Sequence, residues 1–200
     1  METRDRIIHE ACKLFFQKGI KAVRMDDISQ SLHISKRTLY QIFPDKKSLL
    51  MSCLRTAYEE SWRERRAIVR GVDDVLEVAL RVTRQQASKI KTLSSVFLME
   101  VSQHPDIREY FDKLQNENVK EAMEFISKGV QQGYFRPEIN HQVAQRTLQL
   151  GLDALKGSDL FRKCSPFDIF KSTFLVMLRG SLTEKGFKRL SEVENDILSA

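Results

Sequence analysis

Glycine and proline are scarce in this chain, eight and four of 200 residues. So few chain breakers favour long helical segments, and no period-two strand pattern, internal repeat or low-complexity tract interrupts them. Cysteine is scarcer still. Cys12, Cys53 and Cys164 are odd in number, far apart in the chain and without CxxC or CxxH spacing, which argues against a disulfide framework and against a zinc site. Cys12 and Cys53 fall on apolar helical faces and read as small core residues. No apolar run approaches the roughly 18–20 residues of a membrane span, so no membrane partner is expected. The N-terminus carries Glu2, Arg4, Asp5 and Arg6 and no apolar h-region, so no signal peptide is expected and the reading is cytoplasmic. Catalytic spacings are missing too: there is no G-x-S-x-G, Walker loop or H-E-x-x-H, and His9, His33, His104 and His141 are scattered without clustered carboxylates. An enzyme is not expected, nor a cofactor or a metal.

What is present is an uneven charge. Residues 1–70 hold 15 Lys+Arg against 9 Asp+Glu, while residues 71–200 hold 18 of each, so the whole +6 excess lies in the first third. A basic head on a neutral body points to a polyanion-binding unit joined to a part with another task. The plain alternative is a solvated basic surface.

The stretch R-M-D-D-I-S-Q-S-L-H-I-S-K-R-T-L-Y-Q-I-F, Arg24 to Phe43, reads as two short amphipathic helices hinged at 32–34. Met25, Ile28 and Leu32 share one face of the first. Ser35 is a good N-cap for the second, whose Leu39, Ile42 and Phe43 point inward and leave Lys36, Arg37, Thr38, Tyr40 and Gln41 for another surface. A short helix with a cationic, hydrogen-bonding face behind a sharp turn suits the major groove of DNA.

Upstream, Ile7, Ile8, Ala11, Cys12, Leu14, Phe15 and Phe16 form a helical stripe with Thr3 as N-cap and Gly19 as C-cap. Pro44 ends the second short helix, and Asp45 caps a helix over 46–70 that at about 1.5 Å per residue spans over 30 Å. Further helices are expected over 73–88, 93–103, 107–132 with Asp106 as cap, 141–156 capped by Asn140, and 167–182, with a loop over 157–166. The last of these is apolar on most sides and has to be covered on most sides. A second copy of the chain would cover it, 141–156 and 167–182 pairing with their mates as a four-helix bundle with Gly151 and Ala154 at close approach. Burial within one monomer is the alternative. The stripe Phe187, Leu190, Val193, Ile197 leaves the tail open between a last helix and disorder. The expected fold is all-α with about nine helices. Residues 1–46 are expected to form a three-helix helix-turn-helix DNA-binding domain, 46–70 a linking helix, and 71–200 a helical dimerisation domain, to which the family resemblance below adds ligand binding.

Residues 6–50 resemble the N-terminal domain of the tetracycline-repressor (TetR) family of one-component transcriptional regulators, through R-I-I-x-x-A-C-x-L-F-x-x-K-G and D-I-S-x-S-L-H-I-S-K-R-T-L-Y-x-I-F-P-D-K-K-S-L-L. Thr38–Lys46 is the most specific part. The body resembles the family only in helix number and length. The usual turn glycine is His33, a residue that tolerates left-handed backbone better than most. The usual small residue after Ile28 is Ser29, the usual threonine pair is Arg24-Met25, and the small residue before Thr38 is Arg37. The resemblance implies that the helix over 35–42 enters the major groove. Ser35, Lys36, Arg37, Thr38 and Gln41 would lie at base edges or nearby phosphates, with Arg37 suited to guanine and Gln41 to adenine. Arg24, Tyr40 and Lys46 would hold phosphates.

The resemblance further implies operator-bound dimers released by a small apolar or amphipathic ligand, most simply as a repressor. Trp62, Phe97, Met99, Gln103, His104, Tyr110, Phe111 and Met123 are candidate pocket residues, and for each the alternative is plain core. The competing functional reading is a ligand-independent regulator whose body only dimerises or binds a protein partner.

Overall fold

The computed structural model describes residues 2–156 and 160–197, with side chains for all of these except 108, 112, 115–119, 149, 152–156, 161–162 and 193–197. Among the described residues the chain is all-helical. The elements are α1 Thr3–Lys18, α2 Met25–Ser31, α3 Lys36–Ile42, α4 Lys46–Val69, α5 Val75–Lys91, α6 Ser95–Ser102, α7 Pro105–Gln131, α8 His141–Lys156, α9 Leu160–Lys163, α10 Pro166–Ser181 and α11 Glu184–Ile197. The only pairing of strand type described is an isolated bridge between Phe135 and Leu182.

Eleven helices exceed the nine expected, for two reasons. A single turn, α9, forms inside the segment expected to be loop, and the tail from Glu184 is helical with Leu190 buried beneath it. Leu152, Ala154, Leu155, Val193 and Ile197, expected on buried or close-packed faces, lie outside the described side chains.

Most helix starts carry the cap that their sequence offers. Side chains of Ser35, Asp45, Asp74, Ser94, Asn140 and Ser165 accept the N–H three residues on, each satisfying one of the donors a helix N-terminus leaves open. Two starts differ from expectation. Thr3 is already helical and Glu2 holds the cap position without a side-chain bond. In α7 Pro105 itself occupies the first turn, where its missing N–H costs nothing, so the cap position falls to His104 and not Asp106.

Two apolar clusters organise the packing. The first is the core of the head, built on Ile7, Ala11, Phe15, Ile28, Leu39, Leu49 and Cys53. It also takes in Phe97 from α6 and Ile107 from α7, so the head's core includes residues from beyond position 71. The second joins α5, α10 and α11 through Val75, Leu76, Leu80, Leu178 and Leu190, with Phe135 closing one end. An ion pair reinforces it where Arg189 of α11 reaches Asp74, the cap of α5, at 2.8 Å. No described helix is long and apolar enough to cross a membrane.

Candidate nucleic-acid interface

Helices α1, α2 and α3 meet around Ile28 and Leu39, both fully buried. Burial of Leu39 and Phe43 fixes which way α3 faces: Lys36, Arg37, Tyr40 and Gln41 are exposed on the opposite side, Thr38 is half-buried, and Tyr40 shows 47% of its surface. The turn before α3 depends on His33, whose φ of 54° lies in the left-handed region. That geometry delivers Ile34 into the cluster and Ser35 into position to cap α3. Ser35 Oγ also lies 2.8 Å from Thr38 Oγ1, so these two hydroxyls hold each other at the tip of the helix.

Local charges are already arranged. Lys36 Nζ donates to Asp26 Oδ2 at 2.7 Å, tying the start of α3 to the start of α2. This hydrogen bond and the carboxylate charge raise the Lys36 ammonium above its ordinary pKa. Arg24 is exposed at the cap position of α2, and its own N–H donates to Asp27 Oδ2 at 2.7 Å. Acid pairs at a helix start also complement its positive end. Lys46 is half-buried in the first turn of α4, and burial pushes its pKa down, against the raising influence of Glu100 and Asp27. Lys36, Arg37, Tyr40 and Gln41 therefore share one open face, with Arg24 exposed at the start of α2, while Lys46 sits toward the seam between head and body.

That seam contains contacts that the sequence did not reveal. The Glu100 carboxylate of α6 accepts the N–H groups of Ile20 and, at 3.0 Å, Lys21, in the connection between α1 and α2. Ser94 N–H donates to the Phe16 carbonyl at 2.8 Å, and the Phe16 and Phe97 rings lie 4.9 Å apart. Gly19, with φ of 88°, permits this approach, since a Cβ there would stand 2.8 Å from Val96. Lys47 pairs with Asp106 across the same seam. These partners are separated by about sixty to eighty residues, beyond any local sequence signal.

Among the described residues the candidate pocket residues fall at several places. Phe97 is buried in the head's core. Trp62 lines an open cleft between α4 and α7 with Tyr58, Arg66 and Leu114, and the Arg65 guanidinium lies 4.7 Å from its ring centre. His104 lines a different cavity at the seam. Tyr110 and Phe111 stack edge-on, and Phe111 meets Tyr58, while Met99 and Met123 are half-buried and Gln103 is exposed. Among the described residues no cluster of metal-ligating side chains is present.

Comparison with known proteins places this geometry. Residues 7–53 match the model of bacterial regulatory proteins of the tetR family. The chain is similar to IcaR of Staphylococcus aureus, the negative transcriptional regulator of a biofilm operon, with 36% identity over 56 residues, 28% of this chain and 30% of that one. The chain spans less than half the length of the curated relatives it matches. In fold it is similar to a TetR-family transcriptional regulator from Marinobacter aquaeolei, with TM-score 0.73, 18% identity, and 98% and 99% of the two chains covered. It is also similar to a regulator from Saccharomonospora viridis in complex with choline, with TM-score 0.68, 23% identity, and 90% and 98% coverage.

Proposed function

The chain belongs to the TetR family of transcriptional regulators, and from that premise we propose that it is a DNA-binding repressor, not an enzyme, working in the cytoplasm. The observation that carries this reading is the outward face of α3, where Lys36, Arg37, Tyr40 and Gln41 stand exposed on a helix locked from behind by Leu39. Arg37 and Gln41 read base edges, and Lys36, Tyr40 and Arg24 hold the backbone. The likeness to a negative regulator supports repression.

The unit that binds is a homodimer through α8 and α10. Val143 and Val176, 58% and 76% exposed, place apolar surface on these helices in the monomer, and such surface favours a partner. Two heads then sit at a separation matched to successive major grooves, roughly 34–36 Å. A small molecule that prefers a differently spread body pulls the heads out of register and releases the operator. The choline held by a relative supports a small-molecule effector for this chain.

Selection of bound DNA fragments followed by sequencing tests the reading. A two-fold symmetric site with half-sites one helical turn apart is expected. Recovery of no enriched sequence by the full chain sinks it.

A further inference from the structure

At the seam between head and body lies a cavity of about 360 Å³, within the range of small-ligand sites. Its wall is apolar: Ile20 and Leu50 from the head side, Met51 beside them on α4, and Ile107 from α7. Its rim is cationic, with Lys21, Lys46 and Lys47 against a single carboxylate, Asp106, which already pairs with Lys47. His104 completes the rim.

The other carboxylates near Lys46 are also engaged. Glu100 accepts the Ile20 and Lys21 N–H groups, and Asp27 accepts the Arg24 N–H. Among the described residues Lys46 has no hydrogen bond or ion pair of its own. A half-buried ammonium without a direct partner carries a desolvation cost that an anion beside it offsets. A carbon-walled cavity with lysines at its mouth fits a molecule that is apolar along its length and negative at one end.

We propose that this cavity binds a small alkyl carboxylate, chain against Ile20, Leu50, Met51 and Ile107 and carboxylate on Lys46, and that Lys46 so engaged is withdrawn from operator phosphate. The proposal rests on the DNA-binding reading above and on Lys46 as a phosphate contact. Ligand and operator then compete for one side chain. This coupling is additional to any change in the spread of the body.

Octanoate is the probe, titrated calorimetrically into the full chain beside octanol and octylammonium. Octanoate binds about tenfold tighter than octanol, the increment of one charge-assisted hydrogen bond, and octylammonium gives no heat. Lys46→Gln weakens octanoate about tenfold, to the affinity of octanol, and Met51→Asp abolishes octanoate binding. Lys46→Gln leaves the apolar wall intact, so that weakening cannot be assigned to misfolding. With the selected operator fragment, saturating octanoate weakens binding and makes its salt dependence shallower by about two charges, one for each head of the dimer. Lys46→Gln shows that shallower slope without octanoate and no longer responds to it. Octanoate binding at parental affinity in both variants, or an unchanged salt slope in the wild type at saturation, overturns the proposal. A wild type that binds no operator before octanoate is added sinks the DNA-binding reading and the competition with it, while the calorimetry judges the cavity independently.

Discussion

Lys36 and Asp26 form an exposed ion pair, Nζ to Oδ2 at 2.7 Å, that joins the first turns of α3 and α2. An exposed pair of this kind adds little to folding. On approach of a phosphate, however, the carboxylate both competes for the ammonium and repels the backbone.

Lys36→Ala therefore weakens operator binding nearly uniformly across sequences and lowers the salt slope by about two, one for each head, whereas Asp26→Asn tightens binding a few-fold. Both keep the melting temperature of the parent. Fluorescence anisotropy across a salt series checks this. Equal weakening by the two substitutions would mean that the pair positions α3 and does not compete with DNA.

His33 gives a prediction about stability alone. A side chain at φ of 54° carries a strain that glycine escapes and a β-branched residue worsens. His33→Gly raises unfolding free energy by about 0.5 kcal/mol after the added freedom of the unfolded chain is counted. His33→Val lowers it by about 1–2 kcal/mol. Urea titrations followed by circular dichroism resolve the two signs, and a stabilising valine would contradict the left-handed turn.

The exposed apolar residues of α8 and α10 separate folding from assembly. Val143→Glu and Val176→Glu cost the monomer little, because both side chains are largely in solvent there. In the proposed dimer they bury an unpaired carboxylate at a cost of several kcal/mol. Sedimentation velocity is expected to show dimers for the parent and monomers for the double variant with unchanged helicity. A double variant that stays dimeric places the interface elsewhere.

How α11 is fastened predicts a pH dependence. Burial pushes the Asp74 carboxyl up, but the Glu77 N–H, the Arg189 guanidinium and the Tyr134 hydroxyl together hold it below its ordinary value. A folded pKa below the unfolded one means stability that is present above the unfolded carboxylate pKa and lost as pH falls through the folded one. Arg189→Gln is then less stable than the parent by about 1 kcal/mol near neutrality, and the gap closes in acid. Thermal melts across an acid series check this, and a gap independent of pH would assign the effect to lost packing.

What sequence made legible was local. Ser35, Asp45 and Asn140 are caps because a hydroxyl, carboxylate or amide stands just before an apolar period, and the structure uses all three. His33 in the glycine position of the turn does adopt positive φ. The inward set of α3 was readable for the same reason, since three-and-four spacing needs no distant partner. Glu100 was not readable, because an acidic residue on a short helix gives no sign that its acceptors serve Ile20 and Lys21. Phe97, expected in a ligand pocket, joins Phe16 in the head. Cys12 and Cys53, far apart in the chain, lie side by side between α1 and α4, where the neighbouring thiol and burial push the Cys53 thiol well up. In each case the deciding contact is made across the fold, and apolar character alone does not say which core a residue joins.

The Glu100 carboxylate supplies acceptors to backbone donors of the α1–α2 connection, while Phe97 and Ile107 fill the core beneath it. The DNA reader is therefore not an interchangeable cartridge. A chimera that grafts residues 1–46 onto another regulator's body would leave donors unmet and a hole where two side chains belong. Transplanting operator specificity requires carrying α6 and the start of α7 along with the head.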